Sequence, residues 1–353
     1  MEIEPLIKCS TLLSDSCSYS GVRVITGKFN GDTDNNDYDY DYDKINSLYD
    51  KKRAKDNKNF TIIITGVGII NAAHGLTVYL ESWIKNHKNS NLEQIESSSK
   101  QIKREFQQIE KKRDLIIIQT GIAGFFKGSG LKIGDIAVAA SDTYIHTGVG
   151  INTAGFGCSD SLKDGDLKRS ASERNLSYCY PLNPLPFELV PNCPTSKNGH
   201  FVFDKTMIQK LCSIIETGIK QKLKEREETE ASSQESKKNN CRVMTGDFIT
   251  VSTITATPEH ADRIFRAFNC PCMESMEGAA SAHIAALYNI SFLEVRAGSN
   301  PVGVRNKEQW NIPLACQRAS FAVKSIIENG DLFIESSHDS HNSNKTLNRR
   351  GTS

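Results

Sequence analysis

Six apolar runs constrain the fold of this chain more than any other feature. They are "GVRVITG" (21–27), "FTIIIT" (60–65), "LIIIQT" (115–120), "GDIAVAAS" (134–141), "CRVMTGDFITVS" (241–252) and "SFLEVRAG" (291–298). Several are continuous and β-branched rather than alternating, as in strands covered on both faces, since an exposed face would bring a polar residue at every second position. Helical periodicity follows three of them, in "NAAHGLTVYLESWI" after 65, "PEHADRIFRAF" after 252 and "PLACQRASFAVKSIIEN" after 298. Strands interleaved with helices predict an α/β fold, a three-layer α/β/α sandwich around a mostly mixed sheet.

The chain is longer than such a fold needs, and the excess is polar. Segments 28–59, 85–114, 159–176, 221–240 and 336–353 are rich in Asn, Ser, Lys, Glu and Asp, and setting them aside leaves about 235 of the 353 residues. The expectation is a single domain over 1–335 carrying the first four as insertions, followed by a disordered tail at 336–353. The acidic "YDYDYD" and basic "IKREFQQIEKKR" runs lie inside insertions and read as solvated loop or surface helix. With 43 Lys and Arg against 42 Asp and Glu, no net field favours nucleic acid or an anionic membrane. No apolar stretch approaches the roughly 20 residues of a membrane span. The opening "MEIEPLIK" is not a secretory signal, so a cytoplasmic location is expected. The ten cysteines lack the paired spacing of zinc sites and read as reduced structural thiols, with no metal site.

Glycine-rich turns are expected to close three of the strands: Thr65-Gly66-Val67-Gly68, Thr120-Gly121-Ile122-Ala123-Gly124 and Gly298-Ser299-Asn300. Ligands of open α/β sheets collect beyond the carboxyl ends of the strands, where glycine lets backbone N–H groups approach them closely. A dinucleotide-binding reading of "GVGIINA" fails, because G-x-G-x-x-G breaks at Asn71 and no acidic residue closes a following strand. The stretch "MESMEGAASAH" (273–283) adds a chemical group to these turns. Met276, Ala279, Ala280, His283 and Leu287 recur at helical spacing and predict one packed helix face, with Glu277 beside it. A carboxylate there needs a partner or a ligand.

Six motifs then carry a resemblance: "TGVGIINAA" (65–73), "QTGIAGFF" (119–126), "IGDIAVAASD" (133–142), "GDFITVSTITAT" (246–257), "ESMEGAASAH" (274–283) and "EVRAGSNPVGVRNKEQWNIPLA" (294–315). Running with gaps from about residue 60 to 325, they resemble the nucleoside phosphorylase and nucleosidase superfamily. Within it they are most similar to the futalosine hydrolase family. The "SMEGAA" and "RAGSN…WNIPLA" combination is the specific part.

The resemblance implies hydrolysis of the N-ribosidic bond of a purine nucleoside, releasing hypoxanthine from futalosine in menaquinone biosynthesis, with no metal or organic cofactor. Cleavage of that bond gives the ribose oxocarbenium character, and a carboxylate near the 2'-hydroxyl stabilises charge that develops only in the transition state. Glu277 matches the family residue in that role; the alternative is a carboxylate that caps a helix or pairs with Arg296. Asn300 stands where adenine-specific relatives carry Asp, and an amide donates to purine N7 without delivering a full proton. That choice favours a 6-oxo purine, unless Asn300 only makes a turn after Ser299.

Relatives that use phosphate carry an Arg where this chain has Gln119, so hydrolysis is favoured, although Arg296 or Arg305 is able to supply a cation from elsewhere. Glu4, with Glu2 beside it, best matches the family's water-activating base, while the strand that precedes that base in the family does not precede it here. The resemblance further assigns Gly66, Gly68, Thr120, Gly121, Thr250, Met276 and Ser299 to substrate binding. It assigns Phe248 to stacking on the base, unless that ring is ordinary core, and Arg305, with Trp310, to a carboxylated substituent. A homodimer is implied, and no nucleic-acid or membrane partner. The competing readings are a related phosphorylase, a methylthioadenosine-type nucleosidase, and a catalytically impaired nucleoside-binding protein of the same fold.

Overall fold

A computed structural model describes residues 10–17, 23–29, 58–89, 115–149, 181–229 and 241–329. Four of the six predicted strands build one mixed sheet. They are β4 (Ile116–Phe125), β5 (Ile136–Tyr144), β8 (Val243–Thr250) and β10 (Ser291–Pro301). The short strands β6 (Ser196–Lys197), β7 (His200–Val202) and β9 (Met273–Ser275) complete it, in the order β10-β4-β9-β8-β5-β7-β6. The other two predicted strands, β2 (Arg23–Phe29) and β3 (Lys58–Ile64), form a separate antiparallel sheet with β1 (Ser10–Cys17). The Ser- and Asp-containing β1 gives no apolar run from which to foresee it.

The mixed sheet curls on itself. β10 runs parallel to β4 on one side and antiparallel to β5 on the other, so five strands close into a ring. Register shifts between Gly298 and Asn300 in β10 and between Ala139 and Ser141 in β5 give it the bends that closure requires. The helices are α1 (Ile69–Asn89), α2 (Lys205–Thr229), α3 (Pro258–Ala267), α4 (Gly278–Leu287) and α5 (Ile312–Glu328). α4 packs on β5, β8 and β10 backed by α1, while α5 packs on β4 and β10 backed by α2. The α/β layers expected from the sequence are present.

Helix boundaries follow local chemistry. Thr257 caps α3 by accepting from the His260 N–H at 3.2 Å, with Pro258 in the first turn, where its missing N–H costs nothing. Asn311 caps α5 in the same way, accepting from the Leu314 N–H at 3.0 Å. α1 and α2 continue into the polar segments beginning at 85 and 221, while most of the five polar segments lies outside the described residues. Among the described residues no helix is long and apolar enough to cross a membrane.

Two expectations about local structure change. The glycine stretches 120–124 and 298–300 are not turns: they lie inside β4 and β10, held in parallel register with Gly121 opposite Arg296 and Gly124 opposite Asn300. Cross-strand pairing overrides the turn tendency of glycine there. Nor is "MESMEGAASAH" one face of a helix. α4 starts only at Gly278, every residue from Gly278 to Ala282 is buried, and Leu287 at its end is exposed. Wedged between the sheet and α1, α4 needs small residues all round rather than an apolar stripe.

Candidate active site

Glu277 immediately precedes α4, two residues after the short strand β9. Its side chain makes no helix-capping bond and instead reaches two other elements. Its Oε1 accepts from the Gly68 N–H at 2.9 Å, and its Oε2 lies 3.2 Å from Arg296 Nη1. The turn after β3 supplies that N–H because Gly66 and Gly68 hold φ of 83° and 100°, a region that L side chains rarely adopt. The pairing of Glu277 with Arg296, left open by the sequence, is thus present. With its side chain 12% exposed, Glu277 keeps a face toward solvent and any ligand.

Arg296 is buried and held on both sides. Its Nε donates to Glu294 Oε1 at 2.8 Å, and its Nη1 lies 3.4 Å from the Ile122 carbonyl. Burial alone would lower its pKa, but the carboxylates of Glu294 and Glu277 outweigh that and hold it charged. Gly121 makes the room, since a Cβ there would come within 2.9 Å of Nη1. Beneath lies Asp142, fully buried at the end of β5, whose Oδ2 accepts from Thr250 Oγ1 at 2.9 Å. Thr250 Oγ1 in turn accepts from the Ala279 N–H at 2.8 Å, tying β8 to the start of α4. Burial, and then the neighbouring Glu294 carboxylate, push Asp142 well above the usual carboxylate range.

Gly278 answers why a glycine follows Glu277. A Cβ on it would collide with Asp142 Oδ2 and with both oxygens of Glu294. Gln119 faces the same helix, its Oε1 accepting from Ser281 Oγ at 2.7 Å. Thr120, one residue out of phase, turns to the opposite face, and its buried Oγ1 has no hydrogen-bond partner. It is therefore outside this cluster.

A second group gathers three residues further along β4, where Asn300 of β10, Gly124 of β4 and Glu274 of β9 stand side by side. Asn300 Oδ1 accepts from Ser299 Oγ at 2.7 Å, and its Nδ2 donates to the Pro301 carbonyl at 3.1 Å. Burial raises the pKa of Glu274, and bonds from the Thr255 N–H and hydroxyl oppose that rise. Arg305, near enough to favour the ionised form of Glu274, stacks 4.9 Å over the Trp310 ring, whose Nε1 donates to the Val304 carbonyl at 2.9 Å. Met276 is half-buried against a small cluster that includes Phe126, Ile249 and Val302.

Glu277, Gly68, Gly121 and Thr250 thus meet around Arg296, while Ser299, Asn300 and Arg305 mark the neighbouring end of β10. Phe248 is fully buried in the main core, and Thr250 is fully buried with its hydroxyl bonded on both sides. Neither presents a surface to a ligand, so for Phe248 the core alternative is the one observed. Glu4 and Glu2 lie outside the described residues. The sequence reading missed Asp142 and Glu294. Each is an acidic residue within or closing an apolar strand run, and that exception to the pattern was the available signal. Among the described residues no group of three or more His, Cys, Asp or Glu side chains is placed to hold a metal ion.

Comparison with known proteins agrees with this architecture. Over segments of about 80 residues the chain is 36% identical to futalosine hydrolase of Acidothermus cellulolyticus and 34% identical to that of Thermus thermophilus. These segments make up 23% and 22% of the chain, so the chain spans only about a third of these relatives, 33% and 35% of their lengths. Among solved structures, the 5'-methylthioadenosine/S-adenosylhomocysteine nucleosidase of Colwellia psychrerythraea, in complex with adenine, superposes with a TM-score of 0.52 at 16% identity, over 92% of this chain and 90% of that one. Futalosine hydrolase of Helicobacter pylori gives 0.52 at 12% identity, over 93% of each. Likeness at these identities speaks for the fold. The phosphorylase superfamily itself matches residues 104–328, most of the chain, and to that superfamily this protein belongs.

Proposed function

We propose that this protein is a nucleosidase that hydrolyses the N-ribosidic bond of futalosine, releasing hypoxanthine and dehypoxanthine futalosine on the way to menaquinone. The observation that carries the reading is Glu277, a carboxylate fixed by the Gly68 N–H and Arg296 yet open to a ligand. In this reading Glu277 faces the ribose and stabilises its developing positive charge, an interaction stronger in the transition state than in the ground state. Asn300 has one Nδ2 N–H bonded to the Pro301 carbonyl and a second left for purine N7. Similarity to futalosine hydrolases supports the choice of substrate.

Water rather than phosphate is the proposed nucleophile. Gln119 is neutral and bonded to Ser281, and Arg296 is committed to two carboxylates, so neither offers a free positive charge to a dianion. Glu4 is the proposed base for that water. Arg305, on the Trp310 face, is the proposed partner of a carboxylate on the 5' substituent. The reading carries with it a cytoplasmic homodimer. Exposed Val67 and Ile70, flanking the Gly68 turn, are apolar surface that a second subunit would cover at the mouth of the site.

Release of free base from futalosine, inosine and methylthioadenosine, with and without phosphate, tests the proposal. Hypoxanthine from futalosine at a rate indifferent to phosphate is expected. Release only with phosphate would make the protein a phosphorylase, and adenine from methylthioadenosine alone would move it to the other nucleosidases.

A further inference from the structure

The cluster behind Glu277 holds more carboxylates than cations. Asp142, Glu294 and Glu277 surround the single guanidinium of Arg296, and Asp142 and Glu294 are both fully buried. Asp142 Oδ1 and Glu294 Oε2 are each buried without a hydrogen-bond partner. Yet Asp142 Oδ2 and both oxygens of Glu294 crowd the one point that a Cβ on Gly278 would occupy, so the two carboxyls sit side by side there. Two ionised carboxylates side by side, away from water, repel each other. A single proton held between them turns one into a donor to the other and removes that repulsion.

We propose that Asp142 and Glu294 share one proton, and that this acid pair is a positioning device that keeps Arg296 from neutralising Glu277. With one proton the pair carries a single negative charge, which Arg296 balances through its 2.8 Å bond to Glu294. Glu277, at the longer distance of 3.2 Å, then retains the net charge of the cluster on the side open to a ligand. Were Glu294 neutral, Arg296 would lose its 2.8 Å carboxylate partner and lean more on Glu277, and an offset carboxylate stabilises a developing cation less.

The groups facing the pair are consistent with one shared proton. From β10 come Glu294 and Arg296, from β8 the neutral Thr250 hydroxyl, and from α4 the Gly278 backbone with Glu277 beyond it. On its own strand Tyr144 is pushed up by burial and by the charge of Asp142, and Cys272, which feels Glu294, is likewise pushed up, chiefly by burial. Both therefore stay neutral, and Arg296 is the one cation in this set.

The role in catalysis rests on the nucleosidase reading, whereas the shared proton does not, and the two are tested separately. Infrared difference spectra of the full chain at neutral pH, wild type against Asp142→Asn, should show a protonated carboxyl band that the variant lacks. Spectra with no such difference would mean that both groups are ionised and would overturn the proposal, whether or not the protein turns over any nucleoside. For positioning, Glu294→Gln should lower kcat about ten-fold or more with KM moved less than about three-fold, since charge on Glu277 matters most in the transition state. Should the wild type hydrolyse a nucleoside and Glu294→Gln keep kcat within about two-fold of it, the positioning role fails.

Discussion

Glu277 and Gly278 stand together because each solves a different problem at one spot. In the proposed function the carboxylate faces a ligand while anchored by Gly68 and Arg296, and the next residue leaves room for two buried carboxyls against the backbone. Glu277→Gln keeps the shape and loses the charge, so kcat should fall about 10²- to 10³-fold with little change in KM, measured by release of base. Gly278→Ala should cost stability instead. Its Cβ has nowhere to go, and a loss of about 3 kcal/mol, at the upper end of overpacking effects, is expected from urea denaturation. Unchanged stability in that variant would mean that Asp142 and Glu294 lie elsewhere.

Turns and helix starts decide how firmly these residues are presented. Gly68 contributes a backbone N–H at a positive φ of 100°, so Gly68→Ala should strain the turn by about 1 kcal/mol or more and displace the Glu277 anchor. A fall in kcat larger than the fall in stability would separate anchoring from folding. At the start of α3, Thr257→Ala should remove the capping bond to His260 and cost about 1 kcal/mol of stability, read from urea denaturation. Much of this was legible in the chain: the helical pattern of α3, the apolar runs of β4, β5, β8 and β10, and the glycines after β3. The glycines at 121, 124 and 298 misled, because partner strands 150 or more positions away, not local preference, keep them extended.

For the molecule as a whole, the raised pKa of Asp142 fixes the sign of a pH dependence. An unfolded Asp releases its proton near pH 4, whereas the folded chain retains this one to higher pH. Between those two pKa values the folded state binds the extra proton, so stability falls as pH rises, by up to about 1.4 kcal/mol per pH unit for one proton. Asp142→Asn should flatten that slope in urea denaturation from pH 4 upward. Glu274, also raised, acts in the same direction and should leave a residual slope.

The residues alone were enough for the α/β class, the polar segments that interrupt it, and Glu277 as a carboxylate in need of a partner or a ligand. These follow from period, composition and residue chemistry, which are local properties, whereas Asn300 was picked out by resemblance to a family. The closure of the sheet through β10 with both β4 and β5, and the gathering of Asp142, Glu294, Arg296 and Glu277 around Gly278, came from packing. Asp142 and Glu294 are 152 positions apart in the chain, and nothing near either announces the other. Burial brings the two carboxyls together, and their contact in a dry interior gives them a chemistry that neither has alone.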